Sequence, residues 1–294
     1  MITETLMRDV RRLQIRARRR VNELFAGEYH AAFRGQGIEF SDVREYQPGD
    51  DVRSIDWNVT ARAGRPFIKR FVEERQLTVV LAVDRSASDT FGTVAKTKSR
   101  LAAEAGALLA LSATRNRDRV GLHIFTNRTE LFVPPAVGQA HTLRVIRELL
   151  GHEPEGRTAD LPAAVEELSR TVRRHAIVFL MSDFLVPTDA RLEQSLRLLA
   201  RRHDVIATRI SDPRESELPN VGLIDLIDPE TGKTARIDAG SRRVRRRFAE
   251  RRRAQRTEAE RLIRRAKCDL LDLSTDRHVG DDLAAFLRSR ERRR

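Results

Sequence analysis

Residues 77–90 read LTVVLAVDRSASDT. An apolar run ends in Asp84, and the hydroxyls of Ser86 and Ser88 follow at alternate positions. One carboxylate and two hydroxyls at the mouth of a buried strand could serve three ends. Asp84 could be a nucleophile for phosphoryl transfer, the three oxygens could hold a hard cation, or the turn could simply cap the next helix, since Ser and Asp readily accept backbone N–H groups there. An aspartyl nucleophile needs a nearby general acid, such as a second carboxylate two residues on. That position is Ser86, so the phosphoryl-transfer reading lacks its proton donor.

The cation reading draws on donor chemistry. Hydroxyl and carboxylate oxygens are hard ligands that suit Mg²⁺ or Mn²⁺ rather than zinc. Magnesium takes six oxygens, so three local ones are too few, and loops at neighbouring strand ends must add others. Thr158 in EGRTADL and Asp183 in LMSDFL stand where such loops belong.

Those loops need a sheet to carry them. LTVVLAVD and AIVFLMSD are uncut apolar runs, RVGLHIFT and DVIATRI are further strands, TELFVPP is a short edge strand and CDLLDLST a last one. Helical patterns separate them, at 94–115, 139–151, 188–202 and 241–266, with a last helix in VGDDLAAFLRSR. In TADLPAAVEELSRTVRR, Thr158 reads as the cap of a helix with proline in its first turn and arginines at its end. Buried strands alternating with helices predict a mostly parallel sheet covered on both faces, with ligands beyond the carboxyl ends of the strands. Asp84 and Asp183 both lie at such ends. VGLIDLIDPETGKTARID reads as a hairpin around a Pro-Glu-Thr-Gly turn. Its PETGKT resembles the tail of a phosphate loop, but the glycine required five residues before Gly232 is Ile227, and the flanks are not strand-then-helix.

Before the sheet the chain is of another character. Residues 5–25 repeat Leu6, Val10, Leu13, Ala17, Val21 and Leu24 at helical spacing, with arginines opposite. From 26 to 66 Gly, Pro and Asp interrupt any periodicity, a stretch long enough to expect a function or a packing role. Asp42, Arg44, Asp50, Asp51, Arg53, Asp56 and Arg62 could pair in one polar network around Trp57 and Tyr46. FIKRFVEE reads as an edge strand.

The composition closes off other classes. With 56 Lys and Arg against 43 Asp and Glu, the net charge is +13, concentrated near the start, from Ser241 onward and at the end. Such stripes could bind nucleic acid or another anionic surface, yet no base-reading module accompanies them. Seven histidines show no metal-ligand spacing. Cys268 is the only cysteine, which excludes an internal disulfide, fits a reducing cytoplasm and reads as a buried thiol. No apolar window approaches a membrane span, and the first residues are not a secretory signal.

Two resemblances join these pieces. Asp84-x-Ser86-x-Ser88, then Thr158, then Asp183, each on its own strand-end loop, resembles the metal-ion-dependent adhesion site of von Willebrand factor A domains. The resemblance implies that the serines and the threonine contact Mg²⁺ or Mn²⁺, that the aspartates act partly through water, and that a partner's carboxylate completes the shell. The segment from Gly37 to Arg62 resembles the bacterial family catalogued as domain of unknown function 58. It does so through Glu39, Asp42, Arg44, Tyr46, Pro48, Gly49, Asp50, Asp51, Arg53, Asp56, Trp57 and Arg62. The expected fold is therefore α/β: a Rossmann-like von Willebrand factor A-type domain over 76–294, preceded over 1–75 by an N-terminal helix and an irregular or β extension. The implied function is that of a cytoplasmic, non-enzymatic adaptor that works with a MoxR-type AAA+ ATPase or its client protein. A nucleic-acid or anionic-surface binder and a metal-dependent hydrolase are the competing expectations.

Overall fold

The computed structural model describes Arg8, Arg11, Arg12, Ile15, Tyr29, Ala32, Phe33 and residues 39–293, apart from 73–75, 94 and 95. The helix expected over 5–25 lies largely outside the described residues, although Arg8, Arg11, Arg12 and Ile15 within it are helical.

The segment before the main sheet is more ordered than its broken periodicity suggests. Strand β1 (Glu39–Glu45) pairs antiparallel with β2 (Phe67–Val72), and helix α1 (Trp57–Ala63) sits between them in sequence. Local capping explains α1. The Asp56 carboxylate accepts the Asn58 and Val59 N–H groups, and Gly64 closes the helix in the left-handed region at φ 68°, a conformation glycine adopts without penalty. The strand read in FIKRFV is real, but it belongs to this separate two-stranded sheet.

Six strands then form the central sheet in the order β10-β7-β6-β3-β4-β5. They are β3 (Thr78–Asp84), β4 (Arg119–Phe125), β5 (Thr129–Ala136), β6 (Ile177–Ser182), β7 (Asp204–Ser211) and β10 (Asp269–Ser274). All neighbours are parallel except β5, which runs antiparallel to β4 at the edge. Residues Val79 to Asp84 of β3 and all of β6 are buried, as expected of strands covered on both faces.

Helices α2 (Lys98–Arg115), α3 (Gln139–Gly151), α4 (Leu161–Thr171), α5 (Ala190–Arg202), α6 (Arg242–Arg265) and α7 (Val279–Glu291) provide that cover. One core packs Leu81 of β3 against Leu101, Leu109, Ile146 and Leu287 from α2, α3 and α7; the other packs Val80 of β3 against Val165, Leu196 and Ile263 from α4, α5 and α6. The first core also takes in Tyr29, Ala32 and Phe33. The Phe33 ring meets Phe179 edge-on at 6.2 Å and Tyr29 donates to Asp118 at 3.2 Å, so residues upstream of the sheet are packed into it.

A hairpin of β8 (Leu223–Ile227) and β9 (Thr234–Asp238) stands apart as its own two-stranded sheet, and it contains the PETGKT segment. The expected cap of α4 is corrected. The N-cap is Asp160, whose carboxylate accepts from the Ala163 N–H at 3.0 Å, and Thr158 lies two residues upstream in the loop. This leaves the Thr158 hydroxyl out of the helix.

Candidate functional site

The chain leaves β3, passes through β4 and β5 on one side, and returns to β6 on the other side of β3. The crevice where the strand order reverses is the usual ligand position in such sheets. Asp84 ends β3 there, and Asp183 follows β6.

Asp84 is buried. One carboxylate oxygen accepts the Ser86 N–H at 2.9 Å and the other accepts the Ser182 hydroxyl at 2.8 Å. The Ser86 and Ser88 oxygens lie 3.2 Å apart, and Ser88 donates to Asp183 Oδ2 at 3.0 Å. Four of the five residues read from the sequence are thus joined in one hydrogen-bonded chain.

Thr158 arrives on a separate loop that is pinned nearby. The Arg157 carbonyl accepts from the Ala87 N–H at 2.8 Å. Glu130 accepts the Glu155 and Gly156 N–H groups, and a Cβ at Gly156 would stand 2.1 Å from the Thr126 hydroxyl, so only glycine allows this approach. Thr158 itself is exposed, and its hydroxyl makes no hydrogen bond to the other four.

Sequence reasoning did not find the residues that set the charge of the site. Lys98, in the first turn of α2, is 2 % exposed; its ammonium donates at 2.7 Å both to Asp183 Oδ2 and to Glu215 Oε1. Asp89, one position beyond Ser88, is 7 % exposed. Its Oδ2 lacks a well-aligned donor. The Arg85 Nε lies 3.1 Å away, while the two terminal guanidinium nitrogens donate to the Leu149 and His152 carbonyls. Asp84, Ser88, Asp89, Lys98 and Asp183 line a cavity of about 10 Å³, close to the smallest space that holds one water-sized occupant. A lysine opening an alanine-rich helix and a glutamate in a capping box carry no sequence mark of such a role.

The electrostatics follow from burial. Desolvation raises Asp84, and the neighbouring Asp183 raises it further. Desolvation also lifts Asp89 to about 7, against the pull of Arg85. Asp183 is desolvated too, but Lys98 outweighs this and holds its carboxyl below the usual range. Burial lowers Lys98, yet Asp183 and Glu215 more than reverse it, to about 12. Glu215 shares that ammonium and is still pushed up by its own burial.

A hard divalent cation can be tested against this donor set. Two hydroxyls, two buried carboxylates and an under-satisfied carboxylate oxygen around a small cavity match oxygen-ligand chemistry. Among the described residues no group of three or more His, Cys, Asp or Glu side chains is arranged to hold a metal. The reason is visible in the bonding: serine hydroxyls separate Asp84 from Asp183, and Lys98 holds Asp183. A cation here would have to be held by mixed hydroxyl and carboxylate oxygens, beside the Lys98 ammonium.

Of the polar network expected around Trp57, the described side chains show one ion pair and several local caps. Arg44 makes a two-pronged pair with Asp50, at 2.9 and 2.7 Å, while Asp51 caps the Arg53 N–H and Asp56 caps α1. Pro48 and Gly49 form the intervening turn, with Gly49 at φ 109°. The Tyr46 N–H bonds to the Pro66 carbonyl. Arg53 and Arg62 are exposed, and Trp57 is 68 % exposed. Short-range caps serve these acids better than distant arginines do, because closing a local turn orders fewer residues. Glu39 and Asp42 have their backbone in β1, and their side chains lie outside what the structure describes.

Among the described residues no helix is long and apolar enough to cross a membrane. The family described as "Protein of unknown function DUF58" matches residues 42–258. The uncharacterized protein Rv1480 of Mycobacterium tuberculosis is 35 % identical over 287 residues, covering 96 % of this chain and 89 % of the relative. The uncharacterized protein YeaD of Bacillus subtilis is 28 % identical over 184 residues, covering 62 % of this chain and 42 % of that protein. Among solved structures, an aerotolerance-related membrane protein from Bacteroides fragilis superposes with a TM-score of 0.50 at 12 % identity, over 74 % of this chain and 100 % of the other. At that identity the likeness concerns the fold alone.

Proposed function

The chain belongs to the DUF58 family, and from that premise we propose that it is a non-enzymatic, cytoplasmic protein-binding adaptor with a metal-ion-dependent adhesion-type site. In this reading the sheet is a von Willebrand factor A-type domain. Asp84, Ser86, Ser88, Thr158 and Asp183 would hold Mg²⁺ or Mn²⁺. When bound, the ion supplies a Lewis-acidic position that accepts a carboxylate from a partner.

The carrying observation is charge imbalance at the strand ends. Among the described residues, Asp84, Asp89, Asp183 and Glu215 face only Lys98 and Arg85 as close cations. Buried carboxylates in excess of cations are costly unless they take up protons or a metal ion. A divalent cation would neutralise that surplus. The chain's own residues divide the work. Ser182 and the Ser86 N–H fix the Asp84 carboxylate, Lys98 keeps Asp183 ionised, and Gly156 brings the Thr158 loop close. Asp84 accepts two hydrogen bonds, which suits it to positioning rather than to attack on a substrate.

The partner class in this proposal is a MoxR-type AAA+ ATPase or its client, with an acidic side chain as the recognised group. The motor would supply the energy, and the exposed Trp57 face would offer a second contact. Affinity capture with the wild type and Asp84→Ala, each with Mg²⁺ and with EDTA, tests this. An AAA+ ATPase retained only by wild type in Mg²⁺ is the expected result. Recovery unchanged by metal and by mutation would sink the metal-dependent reading.

A further inference from the structure

The β8–β9 hairpin has an inverted burial pattern. Its strands are exposed, with Leu223 at 71 % and Ile227 at 66 %, whereas Pro229 and Glu230 at its tip are half-buried. A free hairpin would show the reverse, so the tip is docked. What it docks on is the strand-end site. The Pro229 carbonyl accepts from the Arg157 guanidinium at 3.3 Å, and the Arg157 carbonyl in turn binds the Ala87 N–H between Ser86 and Ser88. A cleft of about 890 Å³ runs from Ser88 and Asp183 to Leu226, Glu230 and Phe248, the last on α6.

The turn is built to present Glu230. Asp228 Oδ1 accepts the Glu230 and Thr231 N–H groups at 3.0 and 3.4 Å, and Oδ2 accepts the Thr231 hydroxyl at 2.6 Å. Gly232, at φ 71°, closes the turn onto the Asp228 carbonyl. The Glu230 carboxylate shares this cleft with Ser88 and Asp183; its burial, and then the charges of Asp84 and Asp183, raise it above the usual carboxylate range, against the Ala159 N–H next to Thr158. A carboxylate brought towards two others by a preorganised turn is unfavourable unless it takes up a proton or a cation lies between them.

We propose that Glu230 is an internal occupant of the acidic-ligand position at the Asp84–Ser88–Asp183 site, so that the hairpin plugs the site in cis and an incoming acidic side chain must displace it. This rests on the metal-dependent reading above. It makes the hairpin a regulator of partner binding, and it defines the recognised group as a carboxylate on an extended acidic turn. The exposed apolar strands that flank the tip are the surface by which a partner could draw the hairpin away.

The test uses the full chain, with Mn²⁺ and Mg²⁺ as the only added ligands. Mn²⁺ binding is followed by electron paramagnetic resonance in wild type, Glu230→Gln, Asp84→Ala and Ser88→Ala, the last guarding against a folding defect in the Asp84 variant. Amide hydrogen exchange is followed over 223–238. Wild type should bind Mn²⁺, Glu230→Gln should bind it about tenfold more weakly, and the Asp84 and Ser88 variants should lose it. Mg²⁺ should slow exchange in the hairpin of wild type several-fold and leave that of Glu230→Gln unchanged. Metal binding that ignores Glu230→Gln, with hairpin exchange indifferent to Mg²⁺, overturns the plug while the metal site stands. No Mn²⁺ binding in wild type overturns the metal site and the plug together.

Discussion

Lys98 and Arg209, like Arg290, are buried cations held between two carboxylates, and the first two do different work. Lys98 bridges Asp183 and Glu215 at the carboxyl ends of the strands. Arg209, on β7, bridges Asp272 at 2.5 Å and Glu260 at 2.8 Å on the flank of the sheet. Around Arg209 the charges balance, because Arg256 lies within 3.3 Å of Asp272 and 3.7 Å of Glu260. Both of those acids are about a third exposed, so water helps them. Around Lys98 the acids outnumber the cations, Asp84 and Asp89 are buried with them, and a small cavity lies in their midst. A balanced, bidentate arginine pair is a fastening between β7, β10 and α6. A lysine point charge among surplus carboxylates is an incomplete neutralisation. The difference teaches that residue types alone do not identify a site; the local charge sum and access to solvent do.

The comparison breaks most sharply at Lys98. Lys98→Met removes the ammonium that bridges Asp183 and Glu215, whose side chains are 9 % and 14 % exposed. Leaving such charges unpaired costs about 3–5 kcal/mol. Urea denaturation in EDTA should show that loss, and saturating Mg²⁺ should return part of it, about 2.7 kcal/mol at a hundredfold excess over Kd. A loss that Mg²⁺ does not touch would mean that Lys98 is a fastening like Arg209.

The pH dependence sharpens the contrast at intermediate size. Burial lifts Asp89 from 3.8 to about 7. The folded state therefore keeps a proton that the unfolded state has released, and metal-free stability should fall as pH rises from about 4 to 7. The contribution is on the order of 2 kcal/mol, discounted from the full shift because coupled acids share the protons. Asp89→Asn should flatten that part of the profile. Mg²⁺ should stabilise wild type more at pH 8 than at pH 5, since the ion displaces protons. Denaturation midpoints at several pH values, with and without Mg²⁺, decide it.

The smallest effect is expected at the balanced cluster. Arg209→Met leaves two acids that solvent reaches and that Arg256 still faces, so the loss should be about 1–2 kcal/mol. Denaturation curves in EDTA and in Mg²⁺ should then be displaced equally from wild type. A loss that Mg²⁺ partly restores would make the two clusters alike and remove the argument from charge balance.

By itself the sequence determined the parallel sheet and the places where Asp84, Ser86, Ser88 and Asp183 emerge from it. Uninterrupted apolar runs and helical spacing encode burial locally, and the ends of those runs mark where polar groups must surface. It also separated PETGKT from a phosphate loop. The sequence could not show that Asp160 rather than Thr158 caps α4, because both residue types cap helices and the choice depends on where the loop is pinned by Glu130 and Gly156. Around Trp57 the described acids are met locally for a similar reason: Asp51 and Asp56 accept N–H groups two or three residues on, and Asp50 takes Arg44, six residues before it. Only the tertiary structure brought Lys98, Glu215 and Glu230 to the strand ends. They come from separate turns of the chain, between 98 and 230, and no spacing relates them. Their common address is set by sheet topology and by the docking of a hairpin tip, both long-range events. The charge balance of a site is a sum over whatever the fold gathers there, and that sum exists only once the chain has folded.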